Sequence, residues 1–89
     1  MNAAAYRMAL MRSIQDQAGV TWDVAVGKES YGNMVLLFSR RDHDEVRRVE
    51  IGANSRLEAE RMLRAFDSEA LRSRLAAASA LGEAPHFPA

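Results

Sequence analysis

Cysteine is absent from the 89 residues, which excludes disulfides and thiolate metal sites and leaves the redox compartment undecided. An excess of charge of either sign is missing as well. Twelve Lys and Arg balance twelve Asp and Glu, so no global field draws the chain to nucleic acid or an anionic membrane, and such binding needs local segregation of charge. Lysine is nearly lacking, since Lys28 stands beside eleven arginines. That bias suits bidentate carboxylate or phosphate contacts, and codon usage in a GC-rich genome produces it equally well. Long apolar runs are missing too. Arg7 and Arg12 interrupt the apolar N-terminal stretch before a secretory core forms, and no later run reaches the length of a membrane span. Residues 1–15 hold no acid and two arginines, a composition shared with organelle transit peptides, but they read better as a helix of the fold, and cytoplasmic residence is the expectation.

What is present suits one small core. Hydrophobic residues make up 48% of the chain, the ordinary proportion for a globular domain. A domain of this length buries only about 60–65% of its unfolded surface, so self-association would add welcome stability. Residues 1–81 are read as a single domain and residues 82–89, with two prolines, as a mobile tail.

Along the chain, Tyr6, Leu10 and Ile14 at steps of four, with Met11 beside them and Gly19 placed as a C-cap, predict a helix over residues 3–18. Arg12 falls off that stripe, facing solvent or a partner. Trp22, Val24 and Val26 alternate with Thr21, Asp23 and Ala25 in the period of a half-buried strand. Gly27 and Gly32-Asn33 bracket a reversal, after which residues 34–38 are apolar without interruption, as in a central strand. The polar Arg40-Arg41-Asp42-His43-Asp44 segment makes a second turn into a strand over residues 45–51. There Val49 and Ile51 share a face that Val46 does not, which requires either a bulge near Arg47-Arg48 or Val46 on the outer surface.

Ser55-Arg56-Leu57-Glu58 is a capping box and opens an amphipathic helix carrying Ala59, Met62, Leu63, Phe66 and Ala70 inward. Leu71 and Leu75 drift off that stripe, so the helix should kink or split near Asp67, with a second segment running over residues 69–81 to Gly82. The expected fold class is therefore α+β, with the order α-β-β-β-α and a three-stranded antiparallel meander packed on its helices.

Catalytic signatures are sparse. Asp42-His43-Asp44-Glu45 offers metal-ligand chemistry, but consecutive side chains in a turn diverge, so no metal site is assigned. No serine or histidine sits in a nucleophile elbow, and the five glycines are scattered rather than gathered into a phosphate loop. No catalytic residue and no cofactor is assigned, and a non-enzymatic role is expected.

Two surfaces remain. Arg40, Arg41, Arg47 and Arg48 gather around one hairpin and Arg56 opens the following helix, whose amides favour an anion. Together they form a candidate nucleic-acid rim, although Asp42, Asp44, Glu45, Glu50, Glu58 and Glu60 interleave with them and point towards a salt-bridged surface. The second surface comes from counting faces. If Trp22, Val24, Val26, Met34, Leu36, Phe38, Val49 and Ile51 lie under the helices, then Ala25, Val35, Leu37 and Val46 lie on the opposite face among Asp23, Arg48 and Glu50. Either the last helix covers that apolar patch or a partner does, a second copy included.

The element order, with Gly52, Ser55, Arg56 and Ala59 placed as at the glycine-and-basic helix start of that family, resembles the double-stranded RNA-binding domain. Leu57 and Glu60 stand where two of the family's cations would be, and the loop at Tyr31-Gly32-Asn33 lacks its Gly-Pro-x-His pattern. Small messenger-RNA-cleaving toxins share the order but not a catalytic strand around Met34. The resemblance implies an RNA- or DNA-binding domain as the alternative to a cytoplasmic protein-interaction module open to homodimer formation.

Overall fold

The structure is a computed structural model that describes residues 10–80. Its elements are β1 (Arg12–Gln15), β2 (Thr21–Lys28), β3 (Met34–Arg40), β4 (Val46–Glu50), α1 (Arg56–Ala65), α2 (Ser68–Ala77) and β5 (Ser79–Ala80). All five strands join one antiparallel sheet in the order β1-β2-β3-β4-β5. The chain is thus mixed α+β, but the order α-β-β-β-α is not matched, and the three-stranded meander is the middle of a five-stranded sheet.

The first correction lies at the N-terminal end. Residues 12–15, expected to be helical, are extended and pair with β2 from Arg12 opposite Val24 to Gln15 opposite Thr21. Leu10 and Ile14 are four apart, and four is close to a helical turn but also an even number, which puts both on one face of a strand. Gly19, expected as a helix C-cap, instead takes φ +83° in the β1–β2 turn, where the Asp16 carboxylate accepts from the amides of Ala18 (2.9 Å) and Val20 (3.0 Å). Residues 10–11 and 16–18 of the expected helix are not helical either, while its residues 3–9 and the expected tail over residues 82–89 lie outside the described residues.

The second correction is at the other end. The helix expected to run to Leu81 ends at Ala77, and Ala78 turns extended (φ −79°, ψ 150°). Ser79 and Ala80 then pair with Arg48 and Arg47. Alanine-rich sequence favours helix, and strand pairing overrides it here.

Between these ends the register is unbroken. Val35 to Ser39 pair in sequence with Glu50 to Val46, so there is no bulge at Arg47-Arg48, and Val46 sits on the outer face opposite Ser39. The inner face carries Ile14, Trp22, Val24, Met34, Leu36 and Phe38, which pack with Ile51, Ala59, Leu63, Leu71 and Leu75 into one core. Val26, Val49, Met62 and Phe66 are partly buried against it. Each such burial contributes about 1.5–3 kcal/mol, and α2 adds two of them through Leu71 and Leu75.

The break near Asp67 is real. The Ser55 hydroxyl caps α1 by accepting from the Glu58 amide (3.1 Å), and the Asp67 carboxylate caps α2 by accepting from the Ala70 amide (2.8 Å). Glu58 reaches back to the Asn54 amide (2.9 Å), one residue before the partner a capping box would give it. At the far end of α1, Arg12 crosses from β1 and donates through Nη1 to the carbonyls of Leu63 and Phe66, both at 2.7 Å. The guanidinium therefore serves as a C-terminal cap from a distant part of the chain.

Candidate functional site

Because Leu71 and Leu75 of α2 belong to the same core as Ala59 and Leu63 of α1, both helices lie on one face of the sheet. The opposite face presents three cross-strand rows. Ala25, Leu37, Arg48 and Ser79 form the central row; Ser13, Asp23, Ser39 and Val46 form one flank; Gly27, Val35 and Glu50 form the other. Among the described residues no helix covers this face, so Ala25, Val35, Leu37 and Val46 do share one surface. Val35 is buried, while Ala25, Leu37 and Val46 are half-buried.

Gly27 explains how this surface packs. A Cβ added there would stand 2.6 Å from Leu37 Cδ1 and 3.4 Å from Val35 Cγ2. The Leu37 side chain thus fills the place a larger residue would take, and the apolar patch is smooth rather than ridged.

One ion pair borders the patch and a second crosses it. At one flank Arg41 Nη2 contacts Asp23 Oδ1 at 2.5 Å and donates to Ser13 Oγ at 2.9 Å, while Ser13 Oγ donates to Asp23 Oδ1 at 2.9 Å. The Arg41 hydrogen bond holds the Asp23 carboxyl below its ordinary range, and Asp23 in turn raises the guanidinium. From the central row Arg48 reaches towards the row of Val35 and Glu50, its Nη2 donating to Glu29 Oε1 at 2.9 Å and to Glu50 Oε2 at 3.3 Å, with Nε also facing Glu29. Asn33 Nδ2 adds a bond of 3.3 Å to Glu50.

The five arginines of the candidate rim do not come together. Arg40 and Arg47 converge on Glu45, with Arg47 Nε at 2.8 Å, Arg47 Nη2 at 2.7 Å and Arg40 Nη1 at 3.6 Å, and Arg40 Nε also meets Asp42 at 3.1 Å. The Arg47 bond is the main reason the Glu45 carboxyl sits below its ordinary range. Arg41 lies at the edge of the outer face and Arg48 in its central row, while Arg56 is exposed at the start of α1 with no ion pair among the described residues. Four of the five are thus spent on carboxylates. In the Asp42-His43-Asp44-Glu45 turn, Asp42 and Glu45 are turned to these arginines, and among the described residues no three potential ligands converge.

A concavity lies elsewhere, at the end of the helical side. Asp16 is fixed there by three donors: the two turn amides already named, and Trp22 Nε1 at 3.0 Å. That indole bond is the largest reason its carboxyl is held below the ordinary range. Arg47 Cζ stands over the Trp22 ring, 5.0 Å from its centroid. Between this layer and α2 runs an open groove of about 580 Å³, lined among others by Asp16, Arg47, Glu69, Arg72, Ser73 and Leu75. Sequence reasoning passed over Arg72 and Ser73, and the Asp16-Gln17-Ala18-Gly19 turn pattern was the signal that could have placed one wall. Among the described residues no helix is long and apolar enough to cross a membrane. No known protein family matches the chain, and neither a characterised protein nor a solved structure shows significant similarity to it.

Proposed function

We propose that the chain is a small, non-enzymatic interaction module that associates with a second copy of itself through the outer face of the sheet. The observation that carries this reading is the placement of both helices on one face, which leaves Ala25, Val35, Leu37 and Val46 together on the other. Half-buried Ala25, Leu37 and Val46 beside ion-paired charges give this face the mixed apolar and polar character of a reversible interface. A second copy suits it because the face carries both signs, in the Arg41–Asp23 and Arg48–Glu29 pairs, and a twofold contact lets the arginines of each copy meet the acids of the other.

Size sets the strength. Four strand spacings by seven residues give a plan area of about 450 Å², roughly half the area per partner of a standard interface. The dimer is therefore reversible and concentration-dependent. Nucleic-acid binding through Arg40, Arg41, Arg47, Arg48 and Arg56 is the competing reading, and the ion pairing of four of these weighs against it.

Sedimentation equilibrium over a concentration series tests the proposal. The wild-type mass should rise towards that of two chains, and Ser39→Arg, an exposed position on the outer face, should hold it at one chain without loss of stability. Leu37→Asp should do the same at some cost to folding. A wild-type protein that stays monomeric throughout, or a Ser39→Arg variant that still associates, overturns the dimer, and RNA or DNA binding that weakens with added salt would favour the competing reading.

A further inference from the structure

The groove between the β1–β2 turn and α2 lies on the helical side, away from the proposed dimer face, and its charges are unevenly committed. We infer that it is a binding site for a small organic anion, a phosphate or carboxylate carried on an apolar body, gripped by Arg47 and Arg72.

Guanidinium donors are available there. Arg72 is exposed and makes one long bond, from Nη1 to the Gln15 carbonyl at 3.4 Å, which leaves most of its five N–H groups open. Arg47 turns Nε and Nη2 to Glu45 and keeps Nη1, and these two contacts, with Cζ over the Trp22 ring, restrict the movement of the guanidinium. A fork held in place loses less entropy on meeting an oxyanion than a free one does.

Both acids in the groove keep their charge, but they differ in how far their oxygens are already occupied. Asp16 already accepts from Ala18, Val20 and Trp22, and Glu69 is the one lining carboxylate with no bond or ion pair among the described residues. Asp16 and Glu69 balance Arg47 and Arg72 in formal charge, so the grip on a compact anion comes from guanidinium hydrogen bonds rather than from a net field, and an extended polyanion is disfavoured. Leu75, Ala18 and Ala76 supply apolar wall, and about 580 Å³ lies within the range of small-molecule sites. Ser73 adds a hydroxyl beside Arg72.

Trp22 is the sole tryptophan and touches the groove through Arg47, so its fluorescence reports occupancy. Phenyl phosphate, benzoate and inorganic phosphate would be titrated into the full chain. Phenyl phosphate or benzoate should produce a saturable change, with inorganic phosphate weaker than phenyl phosphate, and the ratio of the two organic probes identifies the preferred anion. Arg72→Ala, an exposed change that leaves the core intact, should weaken binding about 10- to 100-fold, as the loss of a charge-assisted hydrogen bond does. Arg64→Ala removes an equal charge from α1, outside the groove, and should leave affinity unchanged. Absence of a saturable change at millimolar probe, equal losses in the two variants, or inorganic phosphate binding as well as phenyl phosphate each overturns the inference. Because the groove and the outer sheet face share no residues, this result is independent of the mass measurement.

Discussion

Replacing Arg12 by methionine removes two hydrogen bonds and little else. The guanidinium reaches 51 residues along the sequence to the Leu63 carbonyl and 54 to that of Phe66, at 2.7 Å each. Helix α1 ends there: the Phe66 amide bonds back to Met62, and the later carbonyls have no partner within the helix. A single charged hydrogen bond contributes about 1.5–3 kcal/mol, and a cation at a helix C-terminus about 0.3–2 kcal/mol. These describe the same group and do not add, so about 2 kcal/mol is the expected loss. Methionine keeps the apolar stem packed, which removes cavity formation from the measurement. In a domain of this size, 2 kcal/mol is a fall in Tm of about 8–16 °C. Urea unfolding followed by circular dichroism should show a lower midpoint with an unchanged slope. An Arg12→Met variant within about 0.5 kcal/mol of wild type, the scale of a neutral surface change, would refute the cap as a source of stability.

Acid should loosen the end of the sheet where Asp16 sits. Its carboxyl, with those of Asp23 and Glu45, titrates below the ordinary range in the folded chain, so their contribution is complete above the unfolded values near pH 4 and is lost as pH falls through the folded ones. The Trp22 indole N–H resonance should move over that range, and Asp16→Asn should flatten the acid side of the stability profile; identical acid midpoints in the two proteins would refute the role given to Asp16. Gly27→Ala should cost about 1–2 kcal/mol by displacing Leu37, and most of that cost should vanish when Leu37→Ala is made as well. A strictly additive double-mutant cycle would show that the two side chains do not compete for the same space.

Much of the sheet was legible because period-two patterns are local. Trp22, Val24 and Val26 alternate, and residues 34–38 are apolar throughout; both runs became central strands with the expected inner and outer faces. Ser55 and Asp67 marked helix starts because each carries its own capping oxygen. Residues 12–15 were misread because Leu10 and Ile14 satisfy both periods. The two-residue β5 was invisible because its alanine-rich surroundings favour helix and only pairing with Arg47 and Arg48 makes it a strand. The candidate site was less legible still. Neighbouring Arg47 and Arg48 point to opposite faces, one to Trp22 and one to Glu29, and their partners are decided by register across the sheet. The apolar face emerged from the pattern, whereas the groove depends on where α2 settles, which no local signal states.

The three connections that build the sheet span residues 16–20, 29–33 and 41–45, five residues in each case. Chain-closure entropy depends on loop length, so it charges all three hairpins alike and cannot rank them. Side-chain contacts must do so, and the β2–β3 pairing is the longest, running from Trp22 opposite Arg40 to Lys28 opposite Met34. The β4–β5 pairing is the reverse case: two residue pairs whose partners are separated by both helices. It has too little to gain from forming before those helices are docked. The sheet thus carries its own order of assembly, with the central hairpin able to stand first and the short last strand able to join only a nearly finished molecule.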